Sequence, residues 1–529
     1  MIGAFAKKVV CSAINPQSIM KNTLSFFLLI VFIGACSESD NSIPKYEEAF
    51  CTSIHRNDSI SLSSELEDLA DSMQVKTGVI VLEDGGNAMI TRAWLTEYAE
   101  KSIDIQYFIF STDNVGLIAC DYLVRAADRG VKVRIIVDDI MVETDIQDIL
   151  TMDSHENISI KIYNPGVNLG KSIYEKVKKF TTDFRSANQR MHNKTFIVDN
   201  KIVITGGRNI ADEYFDYDHE YNFRDRDVLL LGKVSQRVNQ SFEQFWTSEL
   251  SVDVSDISDV VPTNVSEPDR FDRLHEYACN PENFWPQVRE KIEHLPAVFH
   301  DLKKSGAIVW TEDVAFISDD PGKNDGSEGL GGGGKTTDAL INLIKEAKES
   351  IIIQSPYLIT TELSQDLFKA AVERGVTIKI LTNSLASTDN LEAFSSYQGD
   401  REDLLNCGVQ IFECKPDAAI RKERMTGDLQ KSIDYTPIFG LHAKSMVIDQ
   451  EICVIGTFNL DPRSANLNTE CISIIHSASI SEGVLHGMNE EMLAENAWEI
   501  SLDFNPDSEV ATSKRVKTWT RKILPKDIL

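Results

Sequence analysis

Histidine and lysine stand two residues apart at His192/Lys194 and again at His442/Lys444, and each pair is followed by an aspartate, Asp199 and Asp449. A lone His-x-Lys carries no information; its repetition with fixed neighbours does. From His192 it is seven residues to Asp199, seven more to Gly206 and three more to Asn209, and the same steps from His442 reach Asp449, Gly456 and Asn459. Side chains two apart on a strand share a face, so each His projects together with its Lys. The odd spacing sends Asp199 and Asp449 to the opposite face, at Asp-Asn and Asp-Gln turns, where they brace the hairpin or a lobe contact. The returning strand brings Asn209 and Asn459 back toward the His-Lys end as candidate phosphate-binding amides.

Two imidazoles, two ammonium groups and two amides converging on one point suit a phosphodiester. One neutral imidazole attacks phosphorus and becomes covalently bound. The other gives a proton to the leaving alkoxide and then activates the second acceptor. The lysines and asparagines offset charge on the phosphoryl oxygens, and a preorganised donor of this kind can supply about 2.7–4 kcal/mol. Neither motif has the clustered carboxylates of a two-metal site, so no metal and no other cofactor is expected. A carboxylate behind each imidazole should hold its tautomer. Glu470 lies 11 residues past Asn459 and opens the strand ECISII. In the first half Glu220 has the same spacing from Asn209, but Asp227 opens the equivalent strand DVLLL and is the preferred partner.

The elements that position these groups also repeat. SIDIQYFIF followed by AADRGVKVRIIVDD, over 102–139, matches SIIIQSPYLI followed by AAVERGVTIKILTN, over 350–383. Each copy reads strand, helix, strand, rich in β-branched and aromatic residues in the strands. Each helix should end at a glycine, Gly130 or Gly375. Strands alternating with helices give an α/β fold, and the internal repeat gives two lobes, each a mixed sheet flanked by helices, related by an approximate twofold. The expected layout is a leader over 1–36, a tether over 37–75, a first lobe over 76–261, a connecting segment over 262–335 and a second lobe over 336–529. Gly329–Thr336 (GLGGGGKT) fits a phosphate-loop pattern, but SDDPGKNDGSE precedes it where a strand is required. A glycine-rich connector leading into a helix around 338–348 is the preferred reading.

The doubled HxKxxxxD motif resembles the hallmark of the phospholipase D superfamily. The similarity runs over roughly 75–529 and looks closest to bacterial cardiolipin synthases, through IDIQYFIF, GGRNIADEYFD, FEQFWTS, QSPYLI, TNSLASTDN, LHAKSMVID and GTFNLDPRSANLNTE. The resemblance implies one active site between the lobes, a phosphatidyl-histidine intermediate and phospholipid substrates (phosphatidylglycerol, with phosphatidylethanolamine as a second). It assigns His192, Lys194, Asp199, His442, Lys444 and Asp449 to the catalytic set. By analogy His192 is the nucleophile and His442 the acid; the residues alone do not assign those roles. One departure is Gly207-Arg208, where many relatives carry Ser and another residue. Arg208 either touches phosphate or pairs with a neighbouring Asp.

Charge and the N-terminus narrow the substrate. The 82 acidic against 53 basic residues, a formal net of -29, repel polyanions, so no nucleic acid is expected as partner. Leu24–Ala35 is an apolar run behind Lys21 that ends in Ile33-Gly34-Ala35-Cys36. It reads as a signal peptide, and Cys36 resembles the lipidated cysteine of a bacterial lipoprotein; an uncleaved anchor is the other reading. Both bring the chain to a membrane surface, and the first places it on the periplasmic side. Among the nine cysteines no spacing reads as a disulfide framework or a zinc site, and Cys407 and Cys414 are read as free thiols. The basic tail Lys514–Leu529 either meets a membrane or packs as a helix on the second lobe. Phosphatidyl transfer is favoured over hydrolysis by the same site, over a nuclease and over a non-catalytic binding protein.

Overall fold

Ser102–Tyr107 and Ser350–Gln354 form the central strands of two sheets, as their β-branched patterning predicts. Each pairs in parallel with the second strand of its repeat, Lys132–Asp138 or Thr377–Asn383, and antiparallel with the first strand of its His-x-Lys hairpin, Thr195–Val198 or Ser445–Ile448. The return strands Ile202–Gly206 and Ile452–Gly456 continue each sheet outward to Asp227–Gly232 and Cys471–His476. The first sheet has nine strands and the second eight, so the two lobes are near-copies in topology. This is the mixed α/β architecture expected from the repeat.

Helices between the paired strands follow local signals. Asp113 caps Asn114–Asp128 by accepting from Gly116 N–H, and Thr361 caps Glu362–Glu373 by accepting from Ser364 N–H. Both helices stop ahead of Gly130 and Gly375, whose φ values of 94° and 93° are left-handed and suit glycine. Strand alternation divides the core. Ile103, Ile105 and Tyr107 pack outward against the first lobe's helices, and Ile351 and Ile353 do the same in the second lobe. Ile136, Ile197, Val228, Ile352, Val447 and Ile455 point inward with the helices Ser235–Trp246 and Ala478–Glu491. This inner apolar layer is shared by both lobes, and removing it from water holds them together.

The computed structural model describes residues 48–54, 58–142, 146–166, 168, 184–218, 220–257, 269–425, 437–523 and 525–528. Cys36, the leader and positions 37–47 of the tether lie outside the described residues. The described residues of the expected tether are folded: Phe50, Ile54, Leu62 and Leu66 are buried in the first lobe's core. Cys51 is disulfide-bonded to Cys279, 228 residues away, a pairing that no local cysteine spacing could announce; Cys407 and Cys414 are free.

The expected connecting segment also differs. Helices over 272–304 add Phe284, Val288, Ile292 and Phe299 to the first lobe's core. Val309–Thr311 is an edge strand of the first sheet, whereas Val314–Ser318 is an edge strand of the second. The chain therefore crosses between lobes at Glu312–Asp313. Beyond it, the glycine-rich loop leads into the helix Lys335–Glu346. Its lysine and threonine are engaged within the fold: Lys335 pairs with Asp320 at 2.6 Å, and Thr336 Oγ1 donates to Asp319 at 2.8 Å. The strand before it ends at Ser318, so the phosphate-loop context is missing.

Candidate active site

Each histidine sits just before its hairpin strand and is tied to the other lobe. His192 N–H donates to Thr469 O at 2.9 Å, and His442 N–H donates to Arg224 O at 2.8 Å. The next residue along each partner segment supplies a carboxylate. His192 Nδ1 lies 2.8 Å from Glu470 Oε2, and His442 Nδ1 lies 2.6 Å from Asp225 Oδ2. The carboxylates are therefore exchanged: each lobe orients the imidazole of the other. With Nδ1 occupied, Nε2 of each ring is the nitrogen left for chemistry.

Glu470 is placed as an orienting carboxylate, though on the histidine of the opposite motif. Asp227 is not. It forms buried ion pairs with Arg92 at 2.8 Å and Arg208 at 3.5 Å, and Asp225, two residues earlier, takes the position behind His442. Register explains the error. Gly206 pairs with Asp227 as Gly456 pairs with Ile472, so Asp225 is the counterpart of Glu470. The connection from Gly207 to Asp225 runs 18 residues, against 13 from Thr457 to Glu470, which spoiled the spacing argument. Glu220 is exposed at the surface. Arg208 is buried and also donates to the carbonyls of Leu82, Glu83, Tyr214 and Asp225, which commits it to the fold.

Lys194 Nζ donates to His192 O at 2.8 Å, and Lys444 Nζ donates to His442 O at 2.6 Å. Lys444 Nζ also lies 3.1 Å from each nitrogen of the His442 ring. Both lysines are buried, and neither forms an ion pair among the described residues. Burial pushes Lys194 down to about 7, with Glu470 opposing and Lys444 reinforcing the fall. Burial likewise lowers Lys444 to about 8 against the pull of Asp225. The imidazoles are driven toward the neutral form, His192 well below its ordinary value by burial and by Lys194 and Lys444, and His442 to about 3 by burial and Lys444. Two buried ammonium groups that no direct ion pair satisfies are costly, and an anion entering the site relieves that cost.

Aromatic rings wall the site. Phe108 stands edge-on to His192 at 5.1 Å, Tyr214 edge-on to His442 at 5.1 Å, and Phe223 lies 4.7 Å from His442. Asn209 accepts Ile109 N–H at 3.1 Å and hydrogen-bonds Tyr214. Asn459 Oδ1 is buried without a hydrogen-bond partner among the described residues. Asp199 and Asp449 face away, as strand parity predicts. Asp199 accepts from the backbone N–H groups of Glu100, Lys101 and Ser102 at 2.7–3.0 Å, and Asp449 from those of Lys348, Glu349 and Ser350 at 2.7–2.9 Å. They clamp the start of each central strand. Among the described residues no three His, Cys, Asp or Glu side chains cluster so as to hold a metal ion, and no helix is long and apolar enough to cross a membrane.

Sequence reasoning missed Asp225, the Thr457 hydroxyl that donates to Glu470, and the aromatic wall. Strand parity places Asp225 on the same face as Asp227, and that was its one available signal. Comparison with known proteins agrees with the doubled site. The family model described as "Cardiolipin synthase, PLD-like domain" matches twice, at 95–246 and 340–491. Cardiolipin synthase C of Escherichia coli K12 is 32% identical over 445 residues, covering 84% of this chain and 90% of that protein. An uncharacterized protein of Helicobacter pylori J99 is 33% identical over 432 residues, covering 80% and 81%. The crystal structure of phosphatidylserine synthase from Haemophilus influenzae Rd KW20 shares the fold, with a TM-score of 0.56 at 14% identity over 88% of this chain and 100% of that one. The chain thus belongs to the phospholipase D superfamily of phosphatidyltransferases and phosphodiesterases, as a member with the cardiolipin synthase, PLD-like domain in two copies.

Proposed function

We propose that the chain transfers a phosphatidyl group between phospholipids to make cardiolipin, through a covalent phosphohistidine. The observation that carries this reading is the pair of buried lysines, neither in an ion pair among the described residues, set beside two imidazoles held through Nδ1 by exchanged carboxylates. In the first step Nε2 of His192 attacks the phosphorus of phosphatidylglycerol. The P–O bond to the head glycerol breaks, and His442 gives its proton to the departing oxygen. In the second step His442 takes the proton of a head-group hydroxyl on another phosphatidylglycerol. That oxygen attacks phosphorus, the P–N bond breaks, and His192 is restored.

The carboxylates support this division of roles. Burial raises Asp225, but His442 and then Lys444 outweigh it and hold the carboxyl below its usual range. At rest burial and Lys444 keep His442 neutral, with its pKa at about 3; the ionised Asp225 opposes them, and the entering phosphodiester anion adds to it, favouring the protonated ring that the acid step needs. Burial raises Glu470 to about 7 against the pull of Lys194. A weaker anion there favours a neutral His192, which is what the nucleophile needs. Purified protein given phosphatidylglycerol, with and without phosphatidylethanolamine, is expected to form cardiolipin. His192→Ala and His442→Ala should each lower the rate by about 10⁴-fold or more. Phosphatidic acid without cardiolipin would replace transfer by hydrolysis, and a near-native rate in either variant would sink the shared site.

The same reading takes Cys36 as lipidated and the enzyme as exported to the periplasmic side of a membrane. The Cys51–Cys279 disulfide supports it, since such bonds persist in oxidising compartments. Labelled fatty acid should enter the wild-type chain in cells and be lost in Cys36→Ser; equal labelling of both rules this out.

A further inference from the structure

The C-terminal segment presents an apolar stripe on the second lobe. In the helix Thr512–Arg521, Lys514, Thr518 and Arg521 fall at i, i+4 and i+7 and face the second lobe. Thr518 is buried. Lys514 Nζ donates to Ala386 O and Thr388 O at 3.3 and 3.4 Å, and Arg521 pairs with Glu392 at 2.7 Å. Farther on, Lys526 pairs with Asp400 at 2.5 Å. The other face carries Val516 and Trp519, 54% and 70% exposed, and Ile523, 86% exposed, follows just past the helix end. Large apolar side chains at these exposures, three in one stripe, are not explained by packing within the chain.

Both ends of the segment meet residues that support the catalytic pair. The loop under Lys514 begins at Asn383, which exchanges two hydrogen bonds of 2.8 Å with the backbone of Leu441, next to His442. The same loop carries Asp389, which accepts from Tyr357 Oη at 2.8 Å and whose charge bears on Lys444. At the other end Ile528 O accepts from Arg463 Nη1 at 3.3 Å. Arg463 also reaches Asn188 Oδ1 of the first lobe at 3.3 Å, four residues ahead of His192, and its charge bears on that imidazole. The segment therefore runs from the His442 side of the site to the His192 side, with its apolar stripe outward.

Charge identifies the occupant. The chain carries a net of -29, yet residues 514–528 hold six Lys or Arg and one Asp. Three of those cations anchor the segment; Arg515, Lys517 and Lys522 are exposed beside the apolar stripe. A Trp-centred apolar stripe edged with cations is the pattern that settles into the interface of an anionic bilayer. We infer that Val516, Trp519 and Ile523 dock the second lobe on an anionic lipid surface and set the mouth of the active site against it, so that lipid substrate enters without crossing water. This rests on the reading that the substrate is a phospholipid.

The test uses the full chain. Against vesicles of phosphatidylglycerol and phosphatidylcholine, Trp519→Ser/Ile523→Ser should lower turnover at least tenfold. On a monomeric short-chain phosphatidylglycerol its turnover should stay within twofold of wild type. In Trp519→Phe, which keeps the apolar stripe, vesicle turnover should stay near wild type. With acyl-brominated phosphatidylglycerol in the vesicles, the quenched fluorescence should contain a component lost in Trp519→Phe. Equal losses on both substrates, no loss on either, or identical quenching in wild type and Trp519→Phe would overturn the proposal. If wild type forms no phosphatidyl product from either lipid, the transfer reading fails, while the quenching difference alone still decides the docking.

Discussion

The two half-sites share one scaffold and differ in charge. Behind His192 stands Glu470, whose pKa burial lifts to about 7 and which also accepts the Thr457 hydroxyl. Behind His442 stands Asp225, held below the usual carboxylate range because His442 and Lys444 outweigh its burial. At the position of Thr457 the first lobe has Gly207, where a Cβ would lie 2.0 Å from Asp225 Oδ1. The shorter acid thus reaches its imidazole only because its neighbour has no side chain. The repeat gives matched strands and motifs; the two half-sites differ in the carboxylates and in residue 207 against 457.

Removing the charge behind each histidine should break the comparison most sharply. Asp225→Asn, which loses the ion that favours an imidazolium at His442, should lower kcat by about 10²-fold, and Glu470→Gln by about 10-fold. Glu470 also sets a pH limb. It takes up a proton as pH falls through about 7 and then no longer accepts from His192, so kcat/KM in wild type should decline on the acid side. The alkaline decline should follow proton loss from Lys194 near 7 and Lys444 near 8. In Glu470→Gln the acid limb should disappear and the alkaline one remain. Equal losses in the two variants, or an acid limb retained in Glu470→Gln, would mean the half-sites are equivalent.

The neighbouring residues offer a smaller effect. Gly207→Ala should displace Asp225 and cost about 10-fold in kcat, whereas Thr457→Ala should cost only a few-fold. Loss of the Thr457 hydroxyl, a donor to the ionised form of Glu470, should move the acid limb upward by up to about one pH unit. A pH–rate profile of each variant reads both. Smallest in rate are Asp199→Ala and Asp449→Ala. Each frees three backbone N–H groups at the start of a central strand, and each should lose about 2 kcal/mol of stability in urea unfolding with kcat within a few-fold of wild type.

Much of this was legible in the chain. Strand parity alone separated Asp199 and Asp449 from the histidines, and the doubled spacing placed both hairpins. The repeat indicated two α/β lobes, and Gly130 and Gly375 marked the helix ends. What escaped was whatever crosses from one lobe to the other. No local pattern shows that Glu470 serves His192, because the pairing depends on how the sheets dock. Asp225 was hidden by a connection five residues longer than its counterpart. The folded arm around Phe50 and its disulfide to Cys279 depend on a contact 228 residues away, and polar surroundings made that arm look like a tether.

The exchange of carboxylates also bears on the order in which the chain is made. The first lobe leaves the ribosome with His192 and Lys194 complete but without Glu470, and it must wait for nearly the whole second lobe before that imidazole is oriented. A nascent chain that ends at the crossing, near residue 312, should therefore be inert toward lipid. Addition of separately made second lobe should restore turnover only if the sheets dock. The site is thereby incomplete until the chain has been made as far as Glu470.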